Sequence, residues 1–334
     1  MVSKQDNISE IVYRPEAAGK LAVSYVQDLH DHINDGIKLG LPDLDKILIP
    51  LRPGWLVTVI GYTSNLKSTF MDWIGLQALD TIKPESNEIV VKVSWEQSIE
   101  EDTLAWIASK SKLSITRLAR GLIDEPEWDV LKGTATTRAA TPLWVMGHSQ
   151  MEFKTGRRAR PRMTMRDVAR GLEYIIHDST PDLILSPKMI ILDYLQRMRS
   201  DPQDGDSRRE QMMESVNLCK DLAVAYGCPV ILGVQAGRDA ADRMPTLEDA
   251  QETSNIEQSS DVSFGCWYPI KSAKEGTMIE GSSLSGKFPV NKNLFFLRLL
   301  KQKLGQSSET FPIYVDPERR LFANMETKLV GQFR

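Results

Sequence analysis

The chain predicts an α/β fold: a mainly parallel, twisted sheet flanked by helices, with an antiparallel extension toward the C-terminus. Three observations predict it. Short apolar runs rich in β-branched residues alternate with stretches of helical period, and strands that are continuously apolar need cover on both faces, as in a parallel sheet. The 334 residues, 41% hydrophobic and 26% charged, suffice for the core of one large or two modest domains. Finally, 41 Lys+Arg against 45 Asp+Glu leave a formal charge of −4, unlike the low-hydropathy, high-charge composition of disordered chains.

The strands read, in order, as Trp55 to Gly61, Glu88 to Trp95, Pro142 to Gly147, Lys188 to Leu195 and Pro229 to Gln235. Between them, helical periods run from about Lys67 to Thr81, Ile99 to Lys112, Glu125 to Arg138, Met165 to His177 and Ser207 to Tyr226. After Asp261 the runs DVSFGCWY, NLFFLRLLK and FPIYVD are strand-like and joined by turns, which predicts the antiparallel extension at one sheet edge. Ile270 to Lys292, rich in Gly, Ser and Lys, reads as a hairpin or loop. Ahead of the first strand, Glu16 to Ile33 carries Leu21, Val23, Val26, Leu29 and Ile33 at near-helical spacing, and Asn34-Asp35-Gly36 then signals a turn. Such a helix packs either on its own domain or on a neighbouring subunit.

Several function classes are excluded or disfavoured. Apolar stretches such as NLFFLRLL are broken by charge well short of the ~20 residues a membrane helix needs, so no membrane segment is expected. The polar start MVSKQDNISE lacks a secretory core, and Cys219, Cys228 and Cys266 form no CxxC pair; reduced thiols in a cytoplasm, bacterial or that of a virus-infected host, are the expectation. The four histidines show no ligand spacing. A net acidic chain still allows nucleic-acid binding through a local basic lining.

Two segments offer a phosphate-cradling loop. Gly61-Tyr62-Thr63-Ser64-Asn65-Leu66-Lys67-Ser68-Thr69 follows a strand and precedes a helix. It supplies Lys67 for the β/γ phosphates and the Ser68 hydroxyl for Mg²⁺, with backbone N–H groups at a helix N-terminus, but Leu66 stands where the P-loop pattern has its second glycine. Gly281 to Lys287 keeps both glycines, yet Phe288 replaces the hydroxyl, Pro289 obstructs a helix start and no strand precedes it. The first is taken as the nucleotide site, the second as a loop. Downstream, the carboxyl ends of later strands deliver Glu96, Asp193 and Gln235, where open α/β sheets bind ligands. Glu96 is placed to orient a water, Asp193 to hold Mg²⁺ through water and Gln235 to sense the γ-phosphate.

These residues resemble the ATPase domain of DnaB-type replicative helicases, a family with a RecA-like P-loop fold. The similarity runs from a lead-in segment GIKLGLPDLDKILIPL through VSWEQS, ILDYLQRM, PVILGVQAGRD, DAQETSNIEQSSDV and LLKQKLG, about Gly36 to Asn324. The resemblance implies an N-terminal tail and linker-type helix in 1–35 docking on a neighbour, an ATPase domain in 36–324 and a tail in 325–334. It implies ATP and Mg²⁺ as ligands, bound by Gly61, Thr63, Ser64, Asn65, Lys67, Ser68 and Thr69, with Ser68 and Asp193 on the metal side. It further implies catalytic roles for Glu96, Lys67 and Gln235, and for Lys301 and Lys303 reaching into the next subunit's nucleotide. The expected assembly is a homo-oligomer, a hexameric ring on single-stranded DNA, with a primase or helicase loader as further partner. Only about 35 residues precede the lead-in, which suggests a phage or mobile-element protein without the family's N-terminal domain.

The departures set the alternatives. Lys303 stands for the family's Arg and loses its bidentate fork, where a trans-acting Arg is worth roughly 10³ to 10⁵ in rate. Channel-lining DNA contacts are expected from Arg199 to Glu210, with Arg208 and Arg209, and from Gly237 to Ser254, with Arg238, Gln251, Glu252 and Ser254. There Gln251 replaces an Arg and Ser254 a Gly of the family. The run Lys154 to Arg166 holds a dense set of basic residues and is read either as a DNA- or protein-binding insertion or as a solvated loop. Leu66 and Lys303 together keep open a degenerate ATPase acting as an assembly or loading factor; a recombinase-like DNA-dependent ATPase is the second alternative.

Overall fold

A computed structural model describes residues 12–31, 36–151, 163–199, 205, 207–250, 255–280 and 286–325. The chain divides into two compact units, 1–36 and 37–334. The first holds helix α1 (Pro15–Asp31), on which Leu21, Val23 and Val26 are exposed.

The second unit begins with the one-turn helix α2 (Pro42–Asp45) and strand β1 (Leu56–Gly61), followed by α3 (Lys67–Leu79), β2 (Glu88–Ser94), α4 (Ile99–Ser111), α5 (Ile115–Ala119), α6 (Glu125–Ala140) and β3 (Leu143–Met146). It continues through α7 (Met165–Glu173), β4 (Ser186–Asp193), α8 (Arg208–Ala225), β5 (Val230–Gln235), α9 (Asn255–Ser259) and β6 (Val262–Trp267). Last come the hairpin β7 (Met278–Ile279) and β8 (Phe288–Pro289), then β9 (Leu294–Gln302), β10 (Glu309–Asp316) and β11 (Leu321–Asn324). Four helices start where the sequence places capping boxes, at Ser98/Glu101, Asp124/Glu127, Thr164/Asp167 and Ser207/Glu210. The short α2, α5 and α9 lack the length for a periodic signal and were not expected.

Nine strands form one sheet in the order β11-β10-β9-β6-β1-β5-β4-β2-β3. One expectation needs correction. The DVSFGCWY run was placed in the antiparallel extension, but β6 pairs parallel with β1, Val57 opposite Val262 through Gly61 opposite Cys266. The chain crosses over through α9 between β5 and β6, and a helical crossover returns a strand parallel. The antiparallel part is β9 to β11, with β9 laid against β6. Of the Gly281 to Lys287 segment, residues 281–285 lie outside the described residues, and Gly286 and Lys287 lead into strand β8 rather than a helix.

Side chains of β1 alternate between two cores: Leu56 and Ile60 face the one under α7 and α8, Val57 and Val59 the one around α3. Helix α3 is apolar on nearly every side because it is covered on nearly every side. Phe70 meets Phe264 and Phe322 edge-on, each at 5.7 Å between ring centres, while Leu76 packs with Trp106 and Ile107 of α4. Gly75 sits where the helix crosses β4, and a Cβ there would lie 2.7 Å from Ile191 Cδ1, so the isoleucine tip would have to move aside.

A buried ion network ties this layer together. Lys92, mid-strand in β2, binds the carboxylates of Asp72 on α3 and Asp102 on α4, and Arg320 reaches Asp72 at 2.6 Å. Burial alone would lower the Lys92 pKa, but Asp72 and Asp102 outweigh it and hold it above its usual value.

Candidate active site

At the end of β1 the chain makes a tight turn with two non-glycine residues in the left-handed region, Ser64 at φ 66° and Leu66 at φ 57°. The turn is anchored from inside: Asn65 is buried and its Oδ1 accepts the Tyr268 N–H at 3.1 Å. Gly61 lets the turn leave the sheet, because a Cβ there would sit 3.3 Å from Cys266 Cβ and 3.6 Å from Lys67 Cβ. Leu66 caps α3 without offering a side-chain acceptor, and its partly buried side chain packs against the core around α3. Among the described residues, the amides of Lys67, Ser68 and Thr69 have no backbone acceptor. A helix start with unpaired N–H groups and a positive dipole end is an anion site.

The turn lines an open cleft of about 910 Å³, into which four strand ends converge. Thr63, Ser64, Lys67, Ser68 and Thr69 come from the β1–α3 junction, Glu96 from beyond β2, Tyr194 from beyond β4 and Gln235 from β5. Burial pushes the Lys67 ammonium below its ordinary pKa, against the attraction of Asp193 and Glu96. Its Nζ lies 3.9 Å from the centre of the Tyr194 ring, a cation–π contact. Asp193, the last residue of β4, is buried and its Oδ1 has no hydrogen-bond partner. An orphaned, buried carboxylate oxygen close to Lys67 fits a hydrated divalent cation, which is bound through one or two protein oxygens and retained waters. Glu96 is exposed on the cleft wall, free to meet a water. Gln235 Nε2 donates to Thr63 Oγ1 at 3.1 Å, joining β5 to the phosphate turn.

Other predicted residues lie elsewhere. Lys301 on β9 donates to the carbonyls of Glu257 and, at 2.7 Å, Ser260, at the C-terminal end of α9. Lys303 stands 3.3 Å from Asp261, a carboxylate that also takes Lys220 at 2.5 Å. Neither lysine lines the cleft of its own chain. Arg208 and Arg209 are exposed at the start of α8, and Arg238 is exposed just after β5. Gln251, Glu252, Ser254 and Lys154 to Arg162 of the basic run lie outside the described residues.

The cleft also contains residues the sequence reading missed. Tyr194 and Gln97 neighbour the predicted acids and could have been found by adjacency. Lys271, in the turn after β6, and Arg320, at φ 53° in the β10–β11 turn, arrive from more than 200 residues away and carry no local signal.

Residues 36–268 match the family of the DnaB-like helicase C terminal domain. The chain belongs to this family. The replicative DNA helicase DnaB of Pasteurella multocida is 29% identical over 232 residues, covering 68% of this chain and 45% of that protein. DnaB of Rickettsia conorii is 24% identical over 312 residues, covering 90% of this chain and 59% of that protein. The chain thus spans about half the length of the curated relatives it matches. Among solved structures, the ATPase domain of G40P superposes with a TM-score of 0.72 at 17% identity, over 92% of this chain and 98% of that one. A DnaB-like replicative helicase, described with its interactions with primase, gives 0.71 at 17% identity, over 92% of this chain and 66% of that one. The fold is therefore the RecA-like ATPase core of DnaB-like helicases.

Proposed function

We infer that this chain is the motor of a DnaB-type replicative helicase: an ATP hydrolase that assembles as a ring, translocates on single-stranded DNA and separates the duplex. The observation that carries this reading is the convergence of Lys67, Glu96 and Gln235 on one cleft at the N-terminus of α3, with the buried Asp193 close enough to act on the Lys67 charge. The β- and γ-phosphates would lie on the unpaired amides of α3, with the Lys67 ammonium leaving the Tyr194 ring to meet them. Ser68 and Asp193 would hold Mg²⁺, which supplies charge neutralisation on the phosphate oxygens. Glu96 would accept a proton as water attacks the γ-phosphorus, the bond to the bridging oxygen breaks, and ADP and phosphate leave. Gln235, already bonded to Thr63, is poised to exchange that partner for the γ-phosphate.

Hexameric assembly follows from the same reading. Lys301 and Lys303 would have to give up their contacts to α9 and Asp261 to act on a neighbour's nucleotide, and α1 is the segment proposed to dock on that neighbour. Arg208, Arg209 and Arg238 are the DNA contacts of this proposal, with a primase or loader as further partner and the cytoplasm as its location. The degenerate-site alternative loses its main support at Leu66, whose left-handed backbone keeps the turn that a glycine would make. Glu96→Gln tests the assignment: ATP affinity should stay within about threefold while turnover falls by about 10³ or more, the loss expected of a general base and water-orienting group. Phosphate release at the native rate in that variant would refute it.

A further inference from the structure

Strands β4 and β5 are paired only from Ile190 opposite Val230 to Leu192 opposite Leu232, although β5 runs on to Gln235. At Gln235 the backbone groups facing β4 therefore have no strand to meet. A side chain supplies it. Gln196, in the helical turn after Asp193, accepts the Gln235 N–H through Oε1 at 3.0 Å and donates through Nε2 to the Gln235 carbonyl at 3.4 Å. One primary amide thus mimics the peptide group of an absent neighbouring strand. Beyond it, Gln235 Nε2 reaches Thr63 Oγ1 at 3.1 Å, so Gln235, held at its backbone by Gln196 and at its side chain by Thr63, links the turn after β4 to the phosphate turn.

The two ends of this link are the two regions that must communicate. Gln196 stands at the root of the 199–210 segment, whose Arg199 amide is held by the Met163 carbonyl at 3.2 Å. Gln235 stands at the root of 237–250, a segment closed by Gly237 N–H donating to the Asp249 carbonyl at 2.8 Å. Both segments are the proposed DNA contacts. Gln196 itself does not line the cleft, so it touches neither nucleotide nor reacting atoms. We propose that Gln196 is a positioning residue that couples DNA engagement to the γ-phosphate end of the site by fixing Gln235 between the roots of both DNA segments. The proposal rests on the helicase reading above. Movement of the 199–210 root would shift Gln235, and with it the choice of its side-chain amide between Thr63 and the γ-phosphate. Coupling between two binding sites is reciprocal.

The test compares Gln196→Met, of similar size but without either hydrogen bond, with Gln196→Glu, which keeps the acceptor and loses the donor. Phosphate release is measured with and without single-stranded DNA, and DNA affinity with and without ATPγS, in the full chain. For Gln196→Met, basal turnover should stay within about twofold of native while the DNA-stimulated increment falls about tenfold, as the loss of two hydrogen bonds allows. The ATPγS-induced change in DNA affinity should shrink markedly in the same variant, and Gln196→Glu should fall between Met and native on both readouts. Native-like stimulation and native-like coupling in Gln196→Met would overturn the proposal, as would a parallel fall of basal and stimulated rates, which marks a merely structural role. A native protein that hydrolyses ATP without responding to DNA keeps the hydrolase and refutes the relay. One that neither hydrolyses ATP nor binds the analogue refutes both.

Discussion

At the scale of single residues, the question is whether Leu66 is an obstacle. A non-glycine residue at φ 57° costs roughly 1–2 kcal/mol, and a partly buried leucine packed against the core around α3 returns roughly the same. The two offset. Leu66→Gly should accordingly shift stability by less than about 1 kcal/mol in urea unfolding and leave ATP affinity within about threefold; a large gain in affinity would mean that the side chain blocks the site. Lys67 carries a second prediction. Burial lowers its pKa from 10.5, whereas a bound triphosphate requires the ammonium. Below the lowered pKa the group is charged before binding. Above it, a proton must be taken up, so ATP affinity should weaken with rising pH before 10.5 is reached, by up to about tenfold per unit. Calorimetric titrations across the alkaline range would read this, and an affinity constant to pH 10.5 would contradict it. Lys67 was legible because a strand, a turn and a helix flank it; Tyr194, its partner at 3.9 Å, was not, because a ring beneath an ammonium leaves no pattern in sequence.

At the scale of elements, strands buried on both faces and capped helices announced themselves. Every long helix and every parallel strand before β6 lies within a few residues of its expected place. The direction of β6 was misread because its crossover is the five-residue α9, too short and polar to show a period. The ion network of β2, α3 and α4 was equally invisible: a lysine inside EIVVKVSW looks like an interruption until Asp72 and Asp102 are brought to it by tertiary packing. Lys92→Met removes the cation and strands Asp102, whose pKa burial already raises. The variant should lose roughly 3–5 kcal/mol at pH 7. The sign of its pH dependence follows: with a folded-state pKa raised above the unfolded value, Asp102 favours the folded chain increasingly as it protonates, so the deficit should narrow toward acid. Equilibrium unfolding at two pH values checks this, and an equal or wider deficit in acid would place the cost elsewhere.

For the whole molecule, a mainly parallel sheet with its ligand cleft at the carboxyl ends of the strands follows from alternating βα units, whereas its RecA-like character was legible only through the family resemblance. The far wall of the cleft was not legible. Lys271 follows β6, and Arg320 lies in the antiparallel end of the sheet, which curls over α3 so that Phe322 packs on Phe70 and Trp73; only the folded chain brings Arg320 beside Asp72. The assembly, DNA binding and duplex separation proposed above would all depend on one local event, the capture of a triphosphate by the turn between β1 and α3. Its most direct test is a calorimetric titration of the native chain and of Lys67→Ala with Mg²⁺ and a non-hydrolysable ATP analogue. The native chain should bind one nucleotide per chain, and Lys67→Ala at least about 10²-fold more weakly, as expected for losing a buried charge-assisted contact to phosphate. No binding by the native chain, or equal affinity in the two proteins, would contradict the account.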